Sequence, residues 1–90
     1  MAHADETALQ RVALLLRQLR EIKGLRETRP GLFQAKGSTF IQFHDDAGVL
    51  TAELRKAGGS GFDRYPVDAP PGQRKLVEDA KRRVARLDED

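Results

Sequence analysis

The chain has no cysteine. That excludes disulfides, thiol nucleophiles and cysteine-ligated zinc. Only two histidines, His3 and His44, are present, so a zinc site would need carboxylates to complete it. No stretch approaches the ~20 consecutive apolar residues that a membrane-spanning helix requires. The start, Met1-Ala2-His3-Ala4-Asp5-Glu6, lacks the basic opening and apolar core of a secretory signal. The expectation is therefore a cytoplasmic protein without a membrane partner. Charge of one sign is also scarce. Sixteen basic and 14 acidic side chains leave a net +2, too little for a strong electrostatic case for nucleic acid.

Catalytic motifs are equally sparse. Ser38 and Ser60 fall in predicted turns, and neither sits in a motif that supplies an activating base. The run Gly58-Gly59-Ser60-Gly61 raises the question of phosphate binding. It lacks the Gly-Lys-Ser/Thr ending of a P-loop, and no helix follows, so it reads as a hairpin loop. No catalytic residue, metal or cofactor is expected.

What is present suits one small soluble domain: 90 residues, 39% apolar and 33% charged, enough for a single modest core. Residues 31–54 organise it. Lys36-Gly37 reads as a two-residue hairpin loop, and Asp45-Asp46-Ala47-Gly48 as a second turn. Strands are predicted over 31–35, 39–44 and 49–54. With those loops Phe33 faces Phe40 and Leu32 faces Ile41. Across the second turn, Phe43 faces Leu50 and Ile41 faces Ala52.

Unbroken alternation then gives a core face of Leu32, Ile41, Phe43, Leu50, Ala52 and Leu54. The other face is mixed: Phe33, Ala35, Phe40, Gln42, His44, Val49, Thr51 and Glu53. A fourth strand is predicted over 62–67. Pro66 cannot donate to a ladder, which places this strand at an edge. Tyr65 and Val67 point to the core, and Phe62 and Arg64 join the mixed face.

Two amphipathic helices flank the strands. Leu9, Val12, Leu15, Leu16, Leu19 and Ile22 form an apolar stripe over residues 5–23, with Asp5 as N-cap and Gly24 as a left-handed stop. Leu14 falls off the stripe. Residues 25–30 read as a connector. Leu76, Val77, Ala80, Val84 and Leu87 form a second stripe over residues 71–87, with Pro71 in its first turn. Glu78 with Arg82, and Asp79 with Arg83, are acid-first pairs four apart, the favourable order. The expected architecture is α+β and two-layered: an N-terminal helix, a four-stranded antiparallel meander and a C-terminal helix, with both helices on one sheet face.

The segments Gly31-Leu32-Phe33, Phe40-Ile41-Gln42-Phe43-His44-Asp45-Asp46, Thr51-Ala52-Glu53-Leu54-Arg55 and Phe62-Asp63-Arg64-Tyr65-Pro66-Val67 resemble a family of short bacterial proteins of unknown function. The resemblance spans about residues 30–85. It implies a shared fold and no particular activity, and it brings no catalytic residues.

The mixed face carries the functional expectation. Phe33 and Phe40, flanked by Gln42, His44 and Arg64, read as a binding surface, since large exposed apolar patches mark contacts. The leading reading is a non-catalytic binding or protein-interaction domain, with a homodimer or another protein as partner. One alternative is a weak single-stranded nucleic-acid binder that stacks bases on Phe33 and Phe40 beside Arg64. The RNP-type consensus for that use is absent. Another is a small-molecule or metal-dependent enzyme centred on His44, where Asp45 and Asp46 follow the imidazole. Turn chemistry alone accounts for those two aspartates. Lys75, Arg82 and Arg86 lie along one side of the last helix. Glu78 and Asp79 interrupt them, which favours a solvated face over a phosphate-binding ridge.

Overall fold

A computed structural model describes residues 2–3, 9–57 and 61–87, with the backbone alone described at 2, 3 and 46. The elements are β1 (Ala2–His3), α1 (Ala13–Arg20), β2 (Arg26–Arg29), β3 (Leu32–Ala35), β4 (Ser38–Asp46), β5 (Val49–Arg55), β6 (Phe62–Pro66) and α2 (Pro70–Leu87). The fold is α+β. Strands β2 to β6 form an antiparallel sheet in chain order, and β1 pairs with the far end of β4. Both apolar stripes are buried with the inner sheet face in one core, from Leu9, Leu15 and Leu19 through Phe43, Leu50 and Leu54 to Leu76, Ala80 and Val84. Leu14 is 66% exposed, as its place off the stripe implies. No helix among the described residues is long and apolar enough to cross a membrane.

The sheet has more strands than the sequence suggests. The predicted connector contains β2, which pairs with β3 through Arg26 opposite Gln34 and Glu27 opposite Phe33. Arg26-Glu27-Thr28-Arg29 shows no apolar alternation because it is an edge strand with little to bury. Glu27 anchors it. One carboxylate oxygen accepts the Gly31 backbone N–H at 3.2 Å, and the group also takes the Arg20 guanidinium from the last turn of α1. Of the predicted first helix, residues 5–8 and the Asp5 cap lie outside the described residues. Residues 9–10 are helical, residues 11–12 turn, and α1 follows.

Both hairpins close on two-residue loops. Lys36 and Gly37 have φ of 51° and 81°, and Ala47 and Gly48 have 54° and 85°. Positive φ at both central residues is the primed turn that matches strand twist. The second loop is thus Ala47-Gly48 rather than the four residues 45–48. Phe43 consequently faces Ala52 and Ile41 faces Leu54. This moves the register by two residues, which leaves every side chain on its predicted face.

The first hairpin departs further, and here the predicted faces change. Ala35 opposes Ser38 and Gln34 opposes Thr39, but Phe33 opposes Ile41. Phe40 is an extra residue on β4, a β-bulge in which Phe40 and Ile41 together face Phe33. Alternation therefore breaks between Phe40 and Ile41, and both turn inward. Phe33 is 0% and Phe40 3% exposed, and Ala35 is buried with them. Leu32, opposite Gln42, moves to the outer face and is half-buried. Burying each ring stabilises by about 1.5–3 kcal/mol, more than the roughly 0.5–1.5 kcal/mol of one displaced ladder bond. The expected surface pair of Phe33 and Phe40 is thus part of the core.

The last strand behaves as its sequence indicates. β6 is an edge strand carrying Pro66, with Tyr65 and Val67 buried and Arg64 exposed. Helix α2 lies over β5 and β6 and against α1.

Candidate functional site

Three of the five residues expected to form a binding face do meet on the outer side of the sheet. The pairing register places Gln42 on β4 opposite Glu53 on β5, and Glu53 opposite Arg64 on β6. Directly opposed residues share a face, so one carboxylate lies between two polar partners. Gln42 Nε2 donates to Glu53 Oε1 at 3.1 Å, and Arg64 Nε lies 3.7 Å from Glu53 Oε2. His44 Nε2 approaches Glu53 Oε1 to 2.5 Å, within ion-pair distance when the ring is protonated. That approach is not aligned as a hydrogen bond. Both ring nitrogens are buried with no hydrogen-bond partner among the described residues. A buried polar group left in that state costs about 1–3 kcal/mol.

Phe33 and Phe40 take no part, since the bulge has drawn them inside. Glu53, which the sequence placed only as one member of the mixed face, is the hub. The ring on this surface is instead Phe62, and the Arg55 guanidinium stands 5.6 Å from its centroid. Thr51 and Glu53 are half-buried, while Val49 is 49% exposed at the end of the face. Among the described residues, no group of three His, Asp or Glu side chains is placed to hold a metal ion.

A second polar cluster lies on the helix side. Asp79 on α2 is buried, accepts the Tyr65 hydroxyl at 2.6 Å, and pairs with the Arg82 guanidinium. Arg83 donates to Asp63 at 2.9 Å and to the Arg55 carbonyl at 2.8 Å. The expected four-apart pairs give way to others: Arg82 takes Asp79, three residues away, in place of Glu78, and Arg83 reaches across to Asp63 on β6. Two clefts flank this cluster. One, of about 750 Å³, is lined by Lys75, Asp79, Arg82, Arg83 and Arg86 of α2 together with Ala57 and Ala85. The other, of about 540 Å³, lies between the start of α2 and β6. No sequence signal joins Tyr65 to Asp79, because the contact needs α2 docked on an edge strand 14 residues away.

The buried pair ties stability to pH at both ends. Burial raises the Asp79 pKa, but the Tyr65 hydrogen bond and the charges of Lys75, Arg82 and Arg83 outweigh it, leaving the group below its ordinary 3.8. Its contribution is present above the unfolded value and is lost as pH falls through the folded one. Burial, then the bond to Asp79, push Tyr65 up from 10.0 to about 12. Folded chains therefore hold this proton where unfolded ones release it, and stability falls as pH rises from about 10 towards 12. Tyr65 is the single tyrosine. Its phenolate absorbance should titrate near about 12 in the folded protein, and a midpoint near about 10, the value of a free phenol, would refute the buried bond.

Compared with protein-family models, with curated proteins and with solved structures, the chain finds no match.

Proposed function

We propose that the chain is a non-catalytic interaction domain that meets a protein partner across its outer sheet face, and that this partner is a second copy of the chain. The observation that carries the reading is the Gln42–Glu53–Arg64 row with His44 beside it. It is a polar centre on the sheet face turned away from both helices, in which the His44 ring makes no hydrogen bond among the described residues and only its Nε2 approaches Glu53. Apolar groups border it: Val49 and Pro66 are exposed, and Leu32 and Phe62 half-buried.

The face carries both signs side by side, Glu53 next to Arg64. A twofold interface brings the same patch against itself, so residue i meets j and j meets i. A patch with adjacent opposite charges satisfies that condition.

The alternatives have less support. Nucleic-acid stacking loses Phe33 and Phe40 to the core, leaves Phe62 already covered by Arg55, and sets a carboxylate where phosphates would approach. An enzyme centred on His44 rests on Glu53 alone, and neither cleft described above is lined by His44.

Sedimentation across a concentration series tests the reading. The wild-type mass should rise towards twice that of one chain. Glu53→Arg should hold the protein monomeric with its fold intact by circular dichroism, and Glu53→Arg combined with Arg64→Glu should restore association. A wild-type protein that stays monomeric throughout the series would exclude the second copy as partner.

A further inference from the structure

The cleft on the helix side has a charge excess that the fold does not consume. Its basic side chains, Lys75, Arg82, Arg83 and Arg86, face one carboxylate, Asp79. They recur along one face of α2, whose axis repeats every 3.6 residues. Two of the four are committed. Arg83 is spent on Asp63 and the Arg55 carbonyl, and Arg82 on Asp79. Lys75 and Arg86 are exposed and make no hydrogen bond or ion pair with another described residue. Asp79 is bonded to Tyr65 and Arg82, and its single negative charge, which Lys75 also feels, is outnumbered by the four cations of the cleft. Cations that converge on a concavity in excess of the carboxylates lining it raise the local concentration of anions.

The cleft continues into the second hollow, with which it shares Lys75, Asp79 and Arg83. That hollow is lined by Pro66 and Pro71, which are exposed, by Gly72 and Tyr65, and by Asp63 and Arg64 at its rim. A basic trough thus opens onto an apolar shelf. Volumes of about 750 and 540 Å³ are those of small-molecule sites.

We infer that this double cleft binds a small molecule bearing a phosphoryl group next to an apolar ring, the phosphoryl oxygens held by Lys75, Arg82 and Arg86 and the ring resting on Pro66 and Pro71. Guanidinium groups suit phosphate because their planar forks match two of its oxygens. Arg82 is pre-aligned by Asp79, which Tyr65 holds in turn. The chelating set projects from one helix, so the backbone that carries it is already ordered when the ligand binds, and the entropy lost is that of the exposed Lys75 and Arg86 side chains. The phosphoryl end of the site lies on α2, away from the outer-face row, while the shelf meets that row at Arg64 and Pro66. Substitutions at Lys75 and Arg86 therefore test the site apart from the interface.

The test uses the whole chain, with pyrophosphate and ADP as probes, followed by amide chemical shifts at fixed ionic strength. Saturable shifts at Ala57, Lys75 and Arg86 are expected for both probes. ADP should bind the more tightly and should also move Tyr65 and the residues after Pro71. Lys75→Ala combined with Arg86→Ala removes two exposed side chains without touching the core. It should keep the fold by circular dichroism and weaken both probes by about tenfold or more. Shifts reproduced by sodium chloride at the same ionic strength would overturn the site, as would binding that the double variant does not weaken. ADP no tighter than pyrophosphate would overturn the shelf.

Discussion

Phe40→Asp is expected to unfold the domain. Phe40 is 3% exposed and shares the core with Phe33, Ile41 and Phe43. Truncating a buried Phe costs about 3–5 kcal/mol through lost burial and the cavity left behind. Placing a carboxyl there adds the penalty of a polar group without partners, on the order of 1–3 kcal/mol even when it takes up a proton. The sum approaches the whole stability of a small domain, roughly 5–15 kcal/mol. Phe40→Leu keeps most of the apolar volume and should remain folded with a lowered urea midpoint. Far-UV dichroism and amide-shift dispersion of the two variants decide the matter. An aspartate variant that unfolds cooperatively within about 0.5 kcal/mol of wild type, the range of a surface change, would place the ring outside the core.

Gly72→Ala should destabilise strongly, and its sign separates two kinds of reasoning. In the interior of a helix, alanine is favoured over glycine by about 0.8–1.0 kcal/mol. Seen from the sequence, the change in the first turn of α2 looks neutral or helpful. In the folded chain, a methyl group on Gly72 would stand 1.7 Å from the Pro66 carbonyl oxygen and 2.9 Å from its carbon. Both are backbone atoms, so no side-chain rotation relieves the overlap. Helix α2 would have to lift from β6, drawing Asp79 away from Tyr65 and opening the core around Leu76. A loss of about 3 kcal/mol or more is expected, at the upper end for overpacking. Urea unfolding followed by dichroism measures it. A rise in the midpoint would mean that α2 does not approach the end of β6 so closely.

The two substitutions mark where local pattern stops being informative. Helical periodicity located both apolar stripes because burial of one helix face leaves a repeat in the sequence whatever the partner is. Leu15, Leu19, Leu76, Ala80 and Val84 are accordingly all buried. Gly37 and Gly48 marked both hairpins, since primed turns demand positive φ. The inward direction of Ile41, Phe43, Leu50 and Leu54 survived an error in the second loop because that error was an even number of residues. The extra strand β2 escaped notice because an exposed edge strand buries nothing and therefore leaves no alternation.

The bulge left one trace, the adjacent apolar residues Phe40-Ile41 in an otherwise alternating strand. Such a doublet is equally compatible with a ring on either face. What resolves it is three-dimensional: the space beneath the helices accepts both rings, and a single unpaired residue lets them in. The resulting exchange removed Phe33 and Phe40 from the expected binding face and left Gln42, His44 and Arg64 around Glu53. Pairings between elements were beyond the sequence for a related reason. Glu53 with Gln42 and Arg64 follows from register, Tyr65 with Asp79 from the docking of α2, and Arg83 with Asp63 from both.

By itself the sequence determined the α+β class, the two helices, the hairpin turns and most of the core, because each depends on neighbours along the chain. Tertiary structure alone decided which aromatic rings are inside, what Glu53 and Asp79 touch, and where the basic clefts lie. Those outcomes depend on distances between segments, and side-chain periodicity within one segment carries no record of them.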